Sequence, residues 1–422
     1  TAVEICFERF TSMEQEQLVG QKLTLRAAKG SPVLTLRLGL DFTCPHVSVG
    51  SPMFRPLSAA AGEARAEILA ETKETRQQVW AGAVFHGLTD TRDASAEGIP
   101  ALEECFTLEP GQARTVTRVV TLCTARTEAE KQTMARRTAD AKQLLARTEY
   151  ETLKDASAAW WEKQWKVSDI EIDGDPENQQ GIRFCVFQLH QTLHTAKYGA
   201  VFGAKGLTGE AYNGNTFWDS EVCCLPFYLI NNPEAAKSFL KFRCDTLQEA
   251  MERAAALDCK GAFYPIATIS GRECCDLWQH ASLQLQASTG VAYGLWNYVH
   301  QTGDKEFLYA FGSRMLVEIS RMLASRGDFD PVTGKYGYYC VMGPDEFQMM
   351  VHHNAYTNFM GQKTLRYTLE TLAQMDEASL AKLNVTPEEM ADWKHKADSM
   401  YIPYDEGTKL FEQHMGYFHL PE

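Results

Sequence analysis

The segment Tyr338–Asn358, YYCVMGPDEFQMMVHHNAYTN, concentrates residue types that could do acid–base chemistry. Gly343 and Pro344 impose a turn directly before the adjacent carboxylates Asp345 and Glu346. Among Tyr, Met and Phe neighbours, desolvation and the charge of the second carboxylate both favour the protonated form of one of the two. A carboxylic acid that keeps its proton is what a departing glycosidic oxygen requires. His352 and His353 follow closely. A histidine doublet directs its two rings apart, so no metal is expected there.

Two other irregular stretches carry candidate groups. GLTGEAYNGNTFWDSE, Gly206–Glu221, combines glycines and aromatics with the carboxylates Glu210, Asp219 and Glu221. Aromatic faces beside carboxylates suit a sugar, whose C–H face stacks while its hydroxyls donate to oxygen. A structural crossing would have the same composition. GAFYPIATISGRECCDLWQH, Gly261–His280, places Arg272 and Glu273 between Tyr264 and Trp278. Its plainer reading is a loop ion pair with core aromatics.

The elements that must position these stretches are mostly helical. GIRFCVFQLHQTLHTAK, PEAAKSFLKFRCDTLQEAMERAAAL, ASLQLQASTGVAYGLWNYVHQ, KEFLYAFGSRMLVEISRMLAS and NAYTNFMGQKTLRYTLETLAQ each space apolar residues as a helix does. So many successive helices predict an α/α barrel or helical toroid, and no exact repeat of fixed period supports a solenoid. Residues 1–125 instead alternate apolar and polar positions between Gly, Pro and Asp breaks, which predicts part of a β-sandwich. Residues 126–175 read as a helical linker rich in Ala, Glu, Lys and Arg. Trp160, Trp161 and Trp165 there are expected to be packing residues, and VSDIEIDGDP is expected to close the linker as a short strand and turn. The helical catalytic domain is then 176–422. The chain opens without Met in a strand-like pattern, as if earlier strands preceded it.

Composition narrows the partners. At 422 residues, 45% hydrophobic and 23% charged, the chain has the make-up of a globular protein of more than one domain. A net charge of −14 disfavours a nucleic-acid partner. No apolar run reaches about 18 residues, so no membrane-spanning helix is expected. The start TAVEICFERF has acids where an export signal needs a basic stretch. The 12 cysteines contain no CxxC unit, so free thiols in a cytoplasmic protein and no zinc site are expected.

From Ala159 to its end the chain resembles the glycoside hydrolase 65 family, which holds maltose, kojibiose, nigerose, trehalose and glucosylglycerol phosphorylases. The resemblance rests on SDIEIDGDPENQQGIRF, GLTGEAYNGNTFWDSEVCCLPFYLINNPEAA, KFRCDTLQEAMERAAALDCKGAFYP, WQHASLQLQAST and GPDEFQMMVHHNAYTN, in that order. It implies a mainly α protein: an (α/α)6 barrel preceded by linker helices and part of an N-terminal β-sandwich. It implies inverting phosphorolysis of a terminal α-glucosidic bond to β-glucose 1-phosphate, with Glu346 of the GPDE motif as general acid. Phosphate, the co-substrate, is its own nucleophile, so neither a protein base nor a cofactor is implied.

Phe217, Trp218 and Asp219 match the family's FWD segment and would bind the transferred glucose. Asn215, Glu273, Tyr356 and Asn358 complete the substrate-binding set, with Tyr356, Thr357 and Asn358 supporting the acid. The partners implied are a small α-glucoside and phosphate, with no nucleic acid and no membrane, in a cytoplasmic homodimer. Asn215 stands where the family usually has His, Ile266 where Trp often follows, and Arg272 replaces an acidic residue in the loop that shapes the acceptor site. The pattern leans toward the kojibiose and glucosylglycerol branch. The family's Lys-Gln pair and Ser-rich phosphate loop lie C-terminal to GYFHLPE, so the chain is read as a fragment or a reduced relative. An inverting hydrolase, with a second carboxylate activating water, and a non-catalytic relative are the alternatives.

Overall fold

The computed structural model describes residues 1–193, 202–206 and 209–421. They fall into two compact units, Thr1–Glu171 and Ile172–Glu422.

In the first unit the alternating sequence forms strands β1 (Ala2–Thr11), β2 (Leu18–Lys29), β3 (Val33–Gly39), β4 (Phe54–Gly62), β5 (Arg65–Thr72), β6 (Gln78–His86), β7 (Arg92–Asp93), β8 (Ala101–Thr107) and β9 (Ala113–Ala125). An antiparallel sheet runs β1-β2-β9-β6-β5-β4, and a smaller one runs β3-β8-β7. The two-residue period decides what each face meets. On β6, Ala81, Ala83 and Phe85 pack with Ile68 and Leu102 between the sheets, while Trp80 points to the opposite face.

That opposite face is covered by helices from the same unit, α1 (Glu128–Gln132), α2 (Met134–Ala146) and α3 (Tyr150–Ser168). Leu144, Leu145, Tyr150 and Leu153 bury themselves against Leu18, Trp80 and Val119. A capping box between Thr127 and Glu130 starts α1. Trp160, Trp161 and Trp165 are each half-buried; Trp161 stacks on Trp165 at 6.0 Å and meets Trp160 edge-on at 5.0 Å. The strand expected within VSDIEIDGDP does not form. Val167 and Ser168 finish α3, the Ile172 amide is taken by the Gln179 side chain, and Asp175 caps the next helix.

The second unit is built from α4 (Pro176–Thr192), α5 (Leu225–Asn231), α6 (Pro233–Asp245), α7 (Leu247–Ala256), α8 (Trp278–Leu283), α9 (Gln286–Thr302), α10 (Lys305–Phe307), α11 (Ser313–Arg326), α12 (Ala355–Leu372), α13 (Glu377–Leu383) and α14 (Pro387–Asp398). The tail of the first expected helix, His194–Lys197, lies outside the described residues. Two segments expected to be single helices are broken. Thr246 leaves helical geometry between α6 and α7, where its hydroxyl donates to Phe242 O and Gly271 comes against its side chain. Gln284 and Leu285 separate α8 from α9. A further break, a wide turn at Leu308–Gly312, joins α10 to α11.

One core of Leu225, Tyr228, Phe239, Leu240, Phe263, Leu295, Met315, Leu316 and Ile319, all buried, ties these helices together. Among the described residues no helix is long and apolar enough to cross a membrane.

Candidate active site

Glu346 sits at the tip of a closed loop. Val341 and Val351 exchange both backbone hydrogen bonds, 2.9 and 3.0 Å, so the chain between them returns to its starting point. Cys340 and Met350, beside that closure, adopt left-handed backbone with φ of 49° and 56°. Such geometry is costly for residues with a Cβ and tends to occur where function demands it. Gly343 is required, since a Cβ there would fall on the Asn354 amide.

The two adjacent carboxylates face different partners. Asp345 Oδ2 accepts from Gln413 Nε2 at 2.8 Å, and its Oδ1 accepts from the Phe347 amide at 3.1 Å. Glu346 Oε1 accepts from Gln284 Nε2 at 2.9 Å, while its Oε2 lies 3.3 Å from His280 Nε2. The desolvation expected for this pair is not realised at Glu346, whose side chain is 55% exposed. The turn projects it outward, with Phe347, Met349 and Met350 exposed alongside.

The start of α9 is a common mount for the site's parts. Gln286 Nε2 donates to Gly343 O at 3.1 Å, under the Glu346 turn. Ala287, one residue on, packs with Ile266, Ala267, Phe217 and Trp218. Trp218 in turn meets Tyr356, at the start of α12, edge-on at 6.0 Å. Burial pushes the Tyr356 hydroxyl up to about 12, so it stays a phenol and a donor. Thus Glu346, Phe217, Trp218 and Tyr356 are assembled around one helix start. Asp219 is exposed at the head of a wide turn, Ser220–Cys224.

Other candidates are spent on structure. Glu273 accepts from the amides of Ile266 (2.9 Å), Ala267 (3.2 Å) and Cys275 (3.1 Å), and pairs with Arg253 at 3.0 Å. Its carboxylate holds the loop, as the plainer reading had it, with Arg253 in place of Arg272 as the cation. Asn358, fully buried, donates to Tyr401 O and accepts from the Tyr338 amide. Asn215 donates to Tyr212 O at 3.0 Å.

Glu221 is fully buried in a two-point ion pair with Arg243. Burial pushes its carboxyl up, against the pull of the Arg243 guanidinium. His353 packs edge-on against Tyr339 and Tyr401, and burial pushes its imidazole down.

Gln284, His280 and Gln413 were not singled out in the sequence. The signal for the first two was polar side chains inside WQHASLQLQAST, in an otherwise apolar helical register. Among the described residues, Gln284 Oε1, Gln286 Oε1, Gln413 Oε1 and His280 Nδ1 are buried without a hydrogen-bond partner. That concentration of unpaired polar atoms around one turn is unfavourable for stability and characteristic of functional sites.

The glycosyl hydrolase family 65 central catalytic domain matches residues 183–422, and the family's N-terminal domain matches residues 1–164. The chain belongs to glycosyl hydrolase family 65.

Members of family 65 similar to it include the maltose phosphorylase of Bacillus subtilis (strain 168), 37% identical over 278 residues, 65% of this chain and 37% of that protein. The alpha,alpha-trehalose phosphorylase of Geobacillus stearothermophilus is 38% identical over 264 residues, 61% of this chain and 34% of that protein. A solved structure described as "Putative kojibiose phosphorylase from human microbiome" superposes with a TM-score of 0.90 at 36% identity, covering 99% of this chain and 56% of the other. The chain spans about a third of the length of these curated relatives. Identities of 37% and 38% to relatives named for different disaccharides do not separate the family's branches.

Proposed function

We propose that this family 65 chain carries the acid of an inverting phosphorylase acting on a terminal α-glucosidic bond, with β-glucose 1-phosphate as product. The observation that carries the reading is Glu346, held from behind by Gln284 and His280 and open to solvent in front. A general acid must reach the leaving oxygen, and this one projects from a closed turn with its orientation fixed. The family relatives named as phosphorylases supply the reaction class.

In this reading Phe217 and Trp218 form the apolar wall for the transferred glucose, Asp219 accepts from its hydroxyls, and the Tyr356 hydroxyl is a nearby donor. Asn215 and Glu273 act by fixing the backbone beside that wall, and Asn358 acts by tying Tyr338 to Tyr401. The helices of the second unit belong to an (α/α)6 barrel and the sheets of the first to a β-sandwich, with 1–125, 126–175 and 176–422 as sandwich, linker and barrel. Phosphate is the only co-reactant, and the working form is a cytoplasmic homodimer. The acceptor is a polar one of the kojibiose or glucosylglycerol type, met by Arg272 in the acceptor loop.

The test is phosphate dependence. The chain is given β-glucose 1-phosphate and a panel of sugar and polyol acceptors, and phosphate release is followed. Release with at least one acceptor supports the proposal. Glucose liberated from α-glucosides at equal rates with and without phosphate would instead select hydrolysis on the same scaffold.

A further inference from the structure

Glu346 has a titratable partner on a different element. His280 lies in α8, 66 residues earlier, with Nε2 at 3.3 Å from Glu346 Oε2. The other carboxylate oxygen is held by the Gln284 amide at 2.9 Å, so the carboxyl cannot swing away from the imidazole without losing that bond. His280 is itself fixed from behind, because Arg253 donates to Ala281 O in the same helix. Arg253 also neutralises Glu273 at 3.0 Å, which removes that carboxylate as a competing partner. The same loop also carries Arg272, Cys274, Cys275 and Asp276, and Asp345 adjoins Glu346 in its own turn; Cys275 senses the charges of Glu273, Asp276 and Glu346. Its thiol is pushed up by burial and stays neutral.

We infer that Glu346 and His280 hold one proton between them, and that His280 is a positioning residue that reloads the acid. The inference rests on the general-acid role proposed above. In the forward step Glu346 gives its proton to the leaving oxygen, which departs with the electron pair of the broken C–O bond. A phosphate oxygen forms the new bond to the anomeric carbon with its own lone pair. The one shared proton has then gone to the leaving oxygen, and the Glu346 carboxylate faces a neutral His280 at 3.3 Å. Neutral His280 recovers a proton from the one released as bound hydrogen phosphate becomes the glucose 1-phosphate dianion. The balance is hydrogen phosphate plus glucoside to glucose 1-phosphate plus free acceptor, with no other reactant.

This arrangement answers a difficulty raised by the geometry. Desolvation is not available to keep a proton on a carboxyl that is 55% exposed. Two interacting groups that share a proton lose it with an apparent pKa that belongs to the pair. The pair thereby gives the acid a neighbouring group that can hold its proton between turnovers.

The experiment follows the His280 imidazole by 15N-edited NMR across pH in the whole chain and in Glu346→Gln. The expected result is a titration that moves down by about half a pH unit when the carboxylate is removed, the size of a partly exposed pair. Glu346→Asp, which withdraws the carboxylate without removing it, is expected to give a smaller change in the same direction. Identical His280 titration in wild type and both variants would overturn the pairing, whatever the turnover. The second reading is the pH profile of glucose 1-phosphate formation in His280→Asn, whose alkaline limb should move toward acid by about two pH units. An unmoved limb in a turning-over variant would overturn the reloading role. If the NMR coupling is present and phosphate-dependent turnover is absent in wild type, the pair stands and the phosphorylase reading fails.

Discussion

Glu273 and Glu346 are two glutamates on two loops of one unit, put to opposite uses. Three backbone amides and a guanidinium meet the Glu273 carboxylate, whose side chain is 16% exposed. Two side chains and solvent meet Glu346, at 55%. Backbone amides and a guanidinium can only donate, so they offer the Glu273 carboxylate no group with which to exchange a proton. An imidazole can take the proton or give it back. A glutamate in a polar loop is thus a candidate acid only when its partners leave its proton free to move, and composition alone does not reveal which partners it has.

The contrast can be broken in four places. Glu346→Gln should cost roughly 10²–10⁴-fold in the rate of glucose 1-phosphate formation, with the urea midpoint unchanged; full turnover by this variant would end the assignment. Arg243→Ala leaves the Glu221 charge buried and unpaired, and urea unfolding should show a loss of about 3–5 kcal/mol. A loss below about 1 kcal/mol would mean that the pair is not what anchors the Ser220–Cys224 turn. Glu273→Ala strands the three amides and Arg253, for about 1–3 kcal/mol of stability, measured in the same way. Phe347→Ala, at a side chain 93% exposed, should change stability by less than about 0.5 kcal/mol. It should change KM for the acceptor, and identical acceptor kinetics would place Phe347 outside the site.

The sequence shows half of this site. The GPDE turn is legible because Gly, Pro and adjacent acids constrain the backbone locally, and FWD is legible as aromatics beside acids. The strand alternation of the first unit was equally local, and its sheets span Ala2–Ala125. What holds Glu346 is not legible, because Gln284 and His280 reach it from 62 and 66 residues away. The breaks at Thr246 and Gln284 were hidden by apolar spacing that continues in register on both sides. The expected burial of Glu346 failed because apolar neighbours in sequence need not be neighbours in space. Phe347 and Met350 point outward with it. The strand expected near Ile170 needed a partner strand, and the Asp169 and Gln179 side chains took the Ile170 and Ile172 amides instead.

The Val341–Val351 closure lies beneath the acid rather than beside it. Phe347 to Met349 lie within the loop that this two-bond bridge closes. Exchanges or short insertions at that crown would therefore alter what approaches Glu346 while leaving its coordinates in place. For engineering, the loop is an interchangeable head on a fixed post, and acceptor preference is the property to be varied there.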